Sequence, residues 1–175
     1  RISNLAKLAD TFIVSRCVKS MRIEDTLALF TQKIREFVPF ETCAIYLVDE
    51  SGRYADVIHA EGENLELLLA KRIRIGEGAT GIALKKQETV VNVNPDLDFS
   101  VSQIELAQEY STMASLPLLS GGQLIGAVSI YSRELTQYAD EHIRLLETVS
   151  RIAADAIGKS KQHDEAKVHA LTDPM

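Results

Sequence analysis

The sequence predicts an α+β domain, with a central antiparallel sheet of about six strands, helices from the N- and C-terminal ends on one face, and short helices and loops covering a pocket on the other. Three observations carry this reading. Apolar residues recur at helical spacing at both ends of the chain. Between them lie short runs rich in β-branched and aromatic residues, mostly in adjacent pairs separated by turn residues. In the run 42–48, Cys43, Ile45 and Leu47 alternate with Ala44, Tyr46 and Val48, so both faces are apolar and this strand belongs at the centre of the sheet.

Taken in order, Ile2, Leu5, Leu8, Ala9, Phe12 and Ile13 mark a first helix, and Leu27, Leu29, Phe30, Ile34 and Phe37 a second, which Pro39 stops. The strand 42–48 closes on the turn-prone stretch 49–52 and pairs with a strand over 54–60. A short helix over 64–70 leads to an alternating strand 71–75, a glycine turn at Gly76 and Gly78, a helix over 79–86 and a strand over 88–94. A polar loop, 95–100, and a brief helix, 102–109, precede two strands, 110–119 and 124–132, joined by Ser120-Gly-Gly-Gln123 as a hairpin. From Tyr138 the pattern is helical, with Ile143, Leu146, Val149, Ala153, Ala156 and Ile157 in one stripe and Asp140 and Glu141 in the first turn. Unbroken to Leu171, this helix would be about 50 Å long at about 1.5 Å per residue, more than the domain needs, so the excess projects or pairs.

The 175 residues are 46% hydrophobic and 25% charged, which excludes disordered and collagen-like chains and suits one domain. A net charge of −6 disfavours a phosphate backbone as partner. Charges interrupt every apolar stretch within a few residues, so no membrane span is expected. Cys17 and Cys43 occur in no metal-binding or disulfide-scaffold spacing, which points to a reducing, cytoplasmic setting. Starting at Arg1 and stopping at Met175, the chain reads as a piece of a longer protein.

Several motifs invite sharper readings. Gly76-Glu-Gly78-Ala-Thr-Gly81 is a literal GxGxxG with Asp96 about twenty residues on, as in a dinucleotide fold. The strand before it alternates charge with isoleucine and the helix after it is too short for a parallel crossover, so the glycines are read as a structural turn. Asn94, Asp96, Asp98, Ser100 and Glu105 imitate a calcium loop, but Phe99 holds the place that requires glycine, and a solvated turn is the preferred reading. His142, His163 and His169 share no ligating face, and His59, on a strand beside the expected pocket, is read as a satisfied polar group. No catalytic motif is present, so no cofactor and no catalytic residue are expected in this chain.

The succession CAIYLVDESGRY, RIRIGEGATGIALKKQETVVNVNPDLD, SLPLLSGGQLIGAVSIYSRE and YADEHIRLLETVSRIAADAI resembles a GAF domain over residues 20–158. The resemblance implies a PAS-like sheet, a ligand pocket and dimerisation. By that resemblance Ala44, His59, Ala60 and Thr80 match nucleotide-contacting positions, with Tyr46 beside them as a pocket candidate. The stretch Ser132-Arg133, Tyr138, Asp140-Glu141 lacks the Asn-Lys that opens the signature of the cyclic-nucleotide subset, which argues against cyclic GMP or cyclic AMP. Neither cysteine matches a bilin-binding position or the cysteine cluster of the free-methionine-sulfoxide reductase subset.

The closing ALTDPM resembles the opening of a GGDEF domain, implying a parent diguanylate cyclase that condenses two GTP into cyclic di-GMP with magnesium. The expected organisation is an N-terminal helix over 1–19, the GAF domain over 20–158, and a helical connector over 159–175 leading into a GGDEF domain that this chain lacks. The expected role is sensing and transmission as a homodimer through the terminal helices, with Leu146, Val149, Ala153 and Ala156 as dimer or transmission positions and a small molecule as ligand. The alternative is a ligand-free dimerisation module whose pocket is filled by its own Tyr46, Leu68 and Leu118.

Overall fold

The computed structural model describes residues 23–99, 110–135 and 137–172. The helices expected over 2–18 and 102–109, and Cys17, lie outside the described residues. Helix α1, Ile23–Phe37, buries Leu27, Phe30, Thr31 and Ile34 along one face, with Glu24 and Asp25 in its first turn and Arg35 in its last, each complementing the helix dipole. The Thr31 hydroxyl donates back to the Leu27 carbonyl at 3.1 Å, so a polar residue sits on the buried face without an orphaned group.

Strands β1, Thr42–Val48, and β2, Tyr54–Gly62, form a hairpin, followed by a five-residue helix α2, Leu65–Leu69, and a short strand β3, Arg72–Arg74. Helix α3, Gly78–Lys86, strand β4, Val90–Val93, and a 3-10 turn, Pro95–Asp98, come next. Strands β5, Thr112–Ser120, and β6, Gln123–Ser132, make the long hairpin, and helix α4, Asp140–Thr172, closes the described chain. The sheet order is β3-β2-β1-β6-β5-β4 and every pairing is antiparallel. The predicted α+β architecture and the central position of β1 are therefore observed, β1 being hydrogen-bonded on both sides.

One face of the sheet carries the larger core, in which Cys43, Ile45, Ala114, Leu116, Leu118, Val128 and Ile130 meet the apolar stripes of α1 and α4. Close strand pairing there depends on Gly126, where a Cβ would stand 1.9 Å from the Tyr46 carbonyl oxygen. Strand β4 is shorter than expected, and within it Asn92, at φ 59°, bulges out of the ladder between Val91 and Val93. Its freed side chain holds the lead-in to α4: Nδ2 donates to the Tyr138 carbonyl at 3.1 Å and Oδ1 accepts from the Tyr138 amide at 2.6 Å. Tyr138, itself buried, donates through its hydroxyl to the Pro39 carbonyl at 3.0 Å.

Helix α4 is continuous over 33 residues, about 50 Å at 1.5 Å per residue. Its stripe corrects one expectation. Leu146, Val149 and Ala153 are buried in the domain's own core, and Ala156 is half-buried against it, so these side chains are occupied by the sheet and α1 and do not form a free dimer seam. A stripe at helical spacing shows only that something covers it, and here the cover lies within the same chain. Ile157 is fully buried, and at Gly158 the helix passes the tip of the β5–β6 hairpin so closely that a Cβ would stand 2.5 Å from Ser120 Oγ.

Leu146→Ala is expected to lower the unfolding free energy by about 2–5 kcal/mol in urea titrations, as for other truncations of fully buried leucines. A variant with unchanged monomer stability that lost only self-association would return Leu146 to the role of a dimer contact.

Candidate functional site

The opposite face of the sheet is built from the alternate side chains of the same strands. Ala44 and Tyr46 of β1, Val57 of β2 and Ala127 of β6 pack with Leu84 of α3, while Met113 and Tyr131 pack with Leu68, Phe99 and Tyr110. Among the described residues the cover is made of α2, α3 and the 3-10 turn, short elements that cannot bury a broad apolar stripe. They are fastened by polar contacts instead.

The GxGxxG stretch makes the fastening possible, each glycine for a separate reason. Gly76 has φ 99° and Gly78 φ 71°, and a Cβ on Gly78 would stand 2.6 Å from the Leu97 carbonyl oxygen. At Gly81 a Cβ would meet the Arg74 carbonyl at 2.7 Å. These glycines let the 3-10 turn lie directly on the first turn of α3. Asp98, 6% exposed, then reaches the helix terminus: Oδ1 accepts from the Thr80 amide at 2.9 Å, and Oδ2 accepts from the Thr80 hydroxyl and, at 2.7 Å, from the Tyr131 hydroxyl. The helix N-terminus is thus capped by a carboxylate eighteen residues away in sequence. The chain of hydroxyls continues into the sheet, with Thr80 Oγ1 2.6 Å from Ser129 Oγ, which lies 2.8 Å from Ser115 Oγ.

Lys71 is the second buried charge, 8% exposed. Its ammonium donates to the Asp98 backbone carbonyl and sits 4.3 Å from the centre of the Phe99 ring. Burial pushes the amine down to about 8, against the opposing pull of the Asp98 charge. Burial raises the Tyr46 and Tyr131 phenols, and the Asp98 charge adds to the effect, so both remain neutral donors at physiological pH. Between β3, the start of α3 and the 3-10 turn opens a cleft of about 410 Å³, with Lys71, Ile73, Arg74, Glu77, Leu97 and Phe99 in its walls.

The structure brings Ala44, Tyr46 and Thr80 to this face, all fully buried, and half-buried Ala60 packs beside them. It does not bring His59. That ring lies on the helix-covered face, Nε2 3.3 Å from Thr31 Oγ1 of α1, because register shifts at Ile45/Tyr46 and Ile58 falls on the same face. Leu118 likewise belongs to the helix-side core and does not fill the pocket, whereas Tyr46 and Leu68 do lie on the pocket side. The 94–98 stretch is not uniformly a solvated turn: Asn94 caps the Asp96 amide at 3.0 Å at the surface, but Asp98 turns inward. Among the described residues no group of three or more His, Cys, Asp or Glu side chains is arranged to hold a metal ion.

A family model of the GAF domain matches residues 20–158. The chain belongs to the GAF domain family. No curated protein matches it in sequence. Among solved structures it is similar to the GAF domain of a phosphoenolpyruvate-protein phosphotransferase from Coxiella burnetii, at 17% identity and TM-score 0.77 over 94% of this chain and 96% of that one. The GAF domain of a two-component sensor histidine kinase from Bacillus halodurans aligns at 16% identity and TM-score 0.69, covering 83% and 99%. Free methionine-R-sulfoxide reductase from Neisseria meningitidis, solved with its substrate, aligns at 23% identity and TM-score 0.64, covering 87% and 89%. At these identities the likeness concerns the fold. In this GAF domain Cys43 is fully buried on the helix side, where burial raises its thiol and keeps it from acting as a thiolate. Among the described residues no helix is long and apolar enough to cross a membrane.

Sequence reasoning missed Lys71, Asp98, Ser129 and Tyr131 as members of the site. A signal was present for one of them: Ser129 and its cross-strand partner Ser115 both interrupt apolar strands, which a buried polar network explains better than chance.

Asp98→Ala is expected to cost about 3–5 kcal/mol of stability in urea denaturation, because it strands three buried donors and uncovers the Lys71 charge. Asp98→Asn, which keeps one acceptor oxygen, costs less. The lowered amine of Lys71 also sets a pH dependence. Between about pH 8 and the ordinary lysine value of 10.5 the unfolded chain binds more protons at this site, so the stability contributed here rises with pH. Cys43 and the buried tyrosines, raised by burial, act in the opposite sense. Comparison with Lys71→Met isolates the lysine: wild type gains about 2 kcal/mol on the variant from about pH 8 to about pH 10.

Proposed function

We propose that this GAF domain is a sensor and transmission module of a bacterial signalling protein, in which a small molecule held on the cover side of the sheet alters the setting of α4. The observation that carries this reading is the continuity of α4: one helix supplies Leu146, Val149 and Ile157 to the domain core and runs on to Thr172. A change in the domain's packing is therefore delivered to whatever follows. The output is a GGDEF domain making cyclic di-GMP, as the resemblance of residues 170–175 suggests, and the magnesium for that reaction belongs to the output domain. A ligand shifts such a switch only by binding two arrangements with different affinity.

Two copies associate through the outer face and later turns of α4, since the Leu146 stripe is occupied within the domain. Disulfide crosslinking of cysteines placed singly over residues 156–170, in a Cys17→Ser, Cys43→Ala background, is expected to give yields with helical periodicity. Uniformly absent crosslinks would remove the dimeric transmission reading.

A second reading, ligand-free dimerisation, is favoured by one observation: Tyr46, Tyr131, Phe99, Tyr110 and Leu68 already fill much of the space beneath the cover. Melting-point screening separates the two, because a ligand of the folded state raises the midpoint by mass action. The sensor reading expects a ligand that both raises the midpoint and changes the crosslinking pattern.

A further inference from the structure

We propose that Lys71 is an amine nucleophile placed to capture a small aldehyde or 2-oxo acid as an imine in the cleft between β3 and the 3-10 turn. The inference rests on the reading of this cleft as the small-molecule site and adds the chemistry of the ligand.

An imine-forming amine needs to be free of a carboxylate that would hold it as ammonium, removed from bulk water, and faced by room for a carbonyl compound. Lys71 lines the cleft, is buried, and donates to a backbone carbonyl rather than to a carboxylate, so burial outweighs the pull of the Asp98 charge toward the ammonium form. The nearest carboxylate, Asp98, spends its oxygens on the Thr80 amide, the Thr80 hydroxyl and the Tyr131 hydroxyl, and gives Lys71 only its backbone carbonyl. Among the described residues the face of the Phe99 ring also lies against the amine. Burial holds the amine near 8, so a far larger share is unprotonated at physiological pH than for an ordinary lysine, although the ammonium still predominates. The cleft, of about 410 Å³, is large enough for a metabolite of a few carbons, and Ile73, Leu97 and Phe99 give it an apolar wall.

Among the described residues, the charged groups lining the cleft beside Lys71 are Arg72, Arg74, Glu77 and Asp98. Arg72 is tied to Asp56 and Asp49. Arg74 has only a loose partner in Glu77 at 3.9 Å, both largely exposed, so its guanidinium at the rim is available to the carboxylate of a 2-oxo acid. In the reaction the Lys71 lone pair attacks the carbonyl carbon, the carbonyl oxygen takes a proton to become a hydroxyl, and water leaves as the carbon–nitrogen double bond forms. Amine plus carbonyl gives imine plus water, with no change of oxidation state. Capture also removes the ammonium that donates to the Asp98 carbonyl, and so loosens the 3-10 turn from β3.

The test uses the full chain with glyoxylate or acetaldehyde, trapping with cyanoborohydride, and peptide mass mapping. At about pH 8 Lys71 is expected to be labelled about tenfold faster than the exposed Lys85 and Lys86, because burial holds its amine near 8. The ratio falls above pH 8, where Lys71 has already lost most of its protons and gains no further reactivity, and falls to that of a surface lysine in denaturing urea. A higher ratio for glyoxylate than for acetaldehyde assigns the 2-oxo acid, and equal ratios assign the plain aldehyde. Labelling of Lys71 no faster than Lys85 and Lys86, or with the same pH profile, overturns the proposal. Crosslinking along α4 reports the sensor reading separately, so either can fail while the other stands.

Discussion

A sheet covered on both faces has to bury two sets of side chains from one set of strands, and the constraint is tightest at β1, whose Cys43 and Ile45 point to one cover and Ala44 and Tyr46 to the other. The two covers are unequal. On one side α1 and α4 bring continuous apolar stripes, and burial of Leu27, Phe30, Ile34, Leu146, Val149 and Ile157 is sufficient to hold them. On the other side the described residues offer a five-residue helix, a nine-residue helix and a 3-10 turn. Elements so short present little apolar surface, and their termini leave backbone donors that need partners. Asp98 answers both problems by joining the 3-10 turn, α3 and β6 through one carboxylate.

That solution has an energetic character different from the helix side. A buried carboxylate costs several kcal/mol in desolvation, and hydrogen bonds from neutral donors offset that cost only while all of them are made. Directional bonds also fix one placement of the cover, whereas apolar packing alone admits many. The Lys71 charge balances Asp98 without touching its carboxylate, so the two charges share a region but are solvated by different neutral groups. A cover held in this manner is stable when every partner is present and is easily altered by anything that competes for one of them.

The sheet and its helices were readable in the sequence because their signals are local and periodic. The alternation in 42–48, the Ser120-Gly-Gly-Gln123 turn and the stripe from Ile143 to Ile157 each name an element without reference to any other. The same locality explains the errors. The Leu146 stripe shows burial but not by what, and His59 was placed by position in a strand whose bulge decides the facing. Asp98 and Lys71 carry no periodic signal at all, since each is buried by a contact between segments 27 residues apart. Their role becomes visible only when the GxGxxG glycines are seen to clear space for the turn that brings them together.

The cover is also joined to α4 along the edge of the sheet, through β4 and the residue before it. Helix α3 is held at its N-terminus by Asp98, and its other end leads into β4, where Thr89 Oγ1 donates to Glu147 of α4 at 3.1 Å and Asn92 holds the backbone of Tyr138. The cleft, Asp98, α3, Thr89 and Asn92 thus form one contiguous route from the cover to the first turns of α4. Contiguity becomes coupling only where some member has two arrangements that both ends can bias. Of the members of this route, the 3-10 turn is the one fastened by polar contacts to neighbours on either side, Lys71 and Thr80, while its Leu97 remains exposed. A displacement there changes the cap of α3 directly, and α3 has no broad apolar anchor of its own to absorb the change. The physical asymmetry of the two covers is therefore that directional polar bonds set the element beside the cleft, whereas apolar packing holds α4.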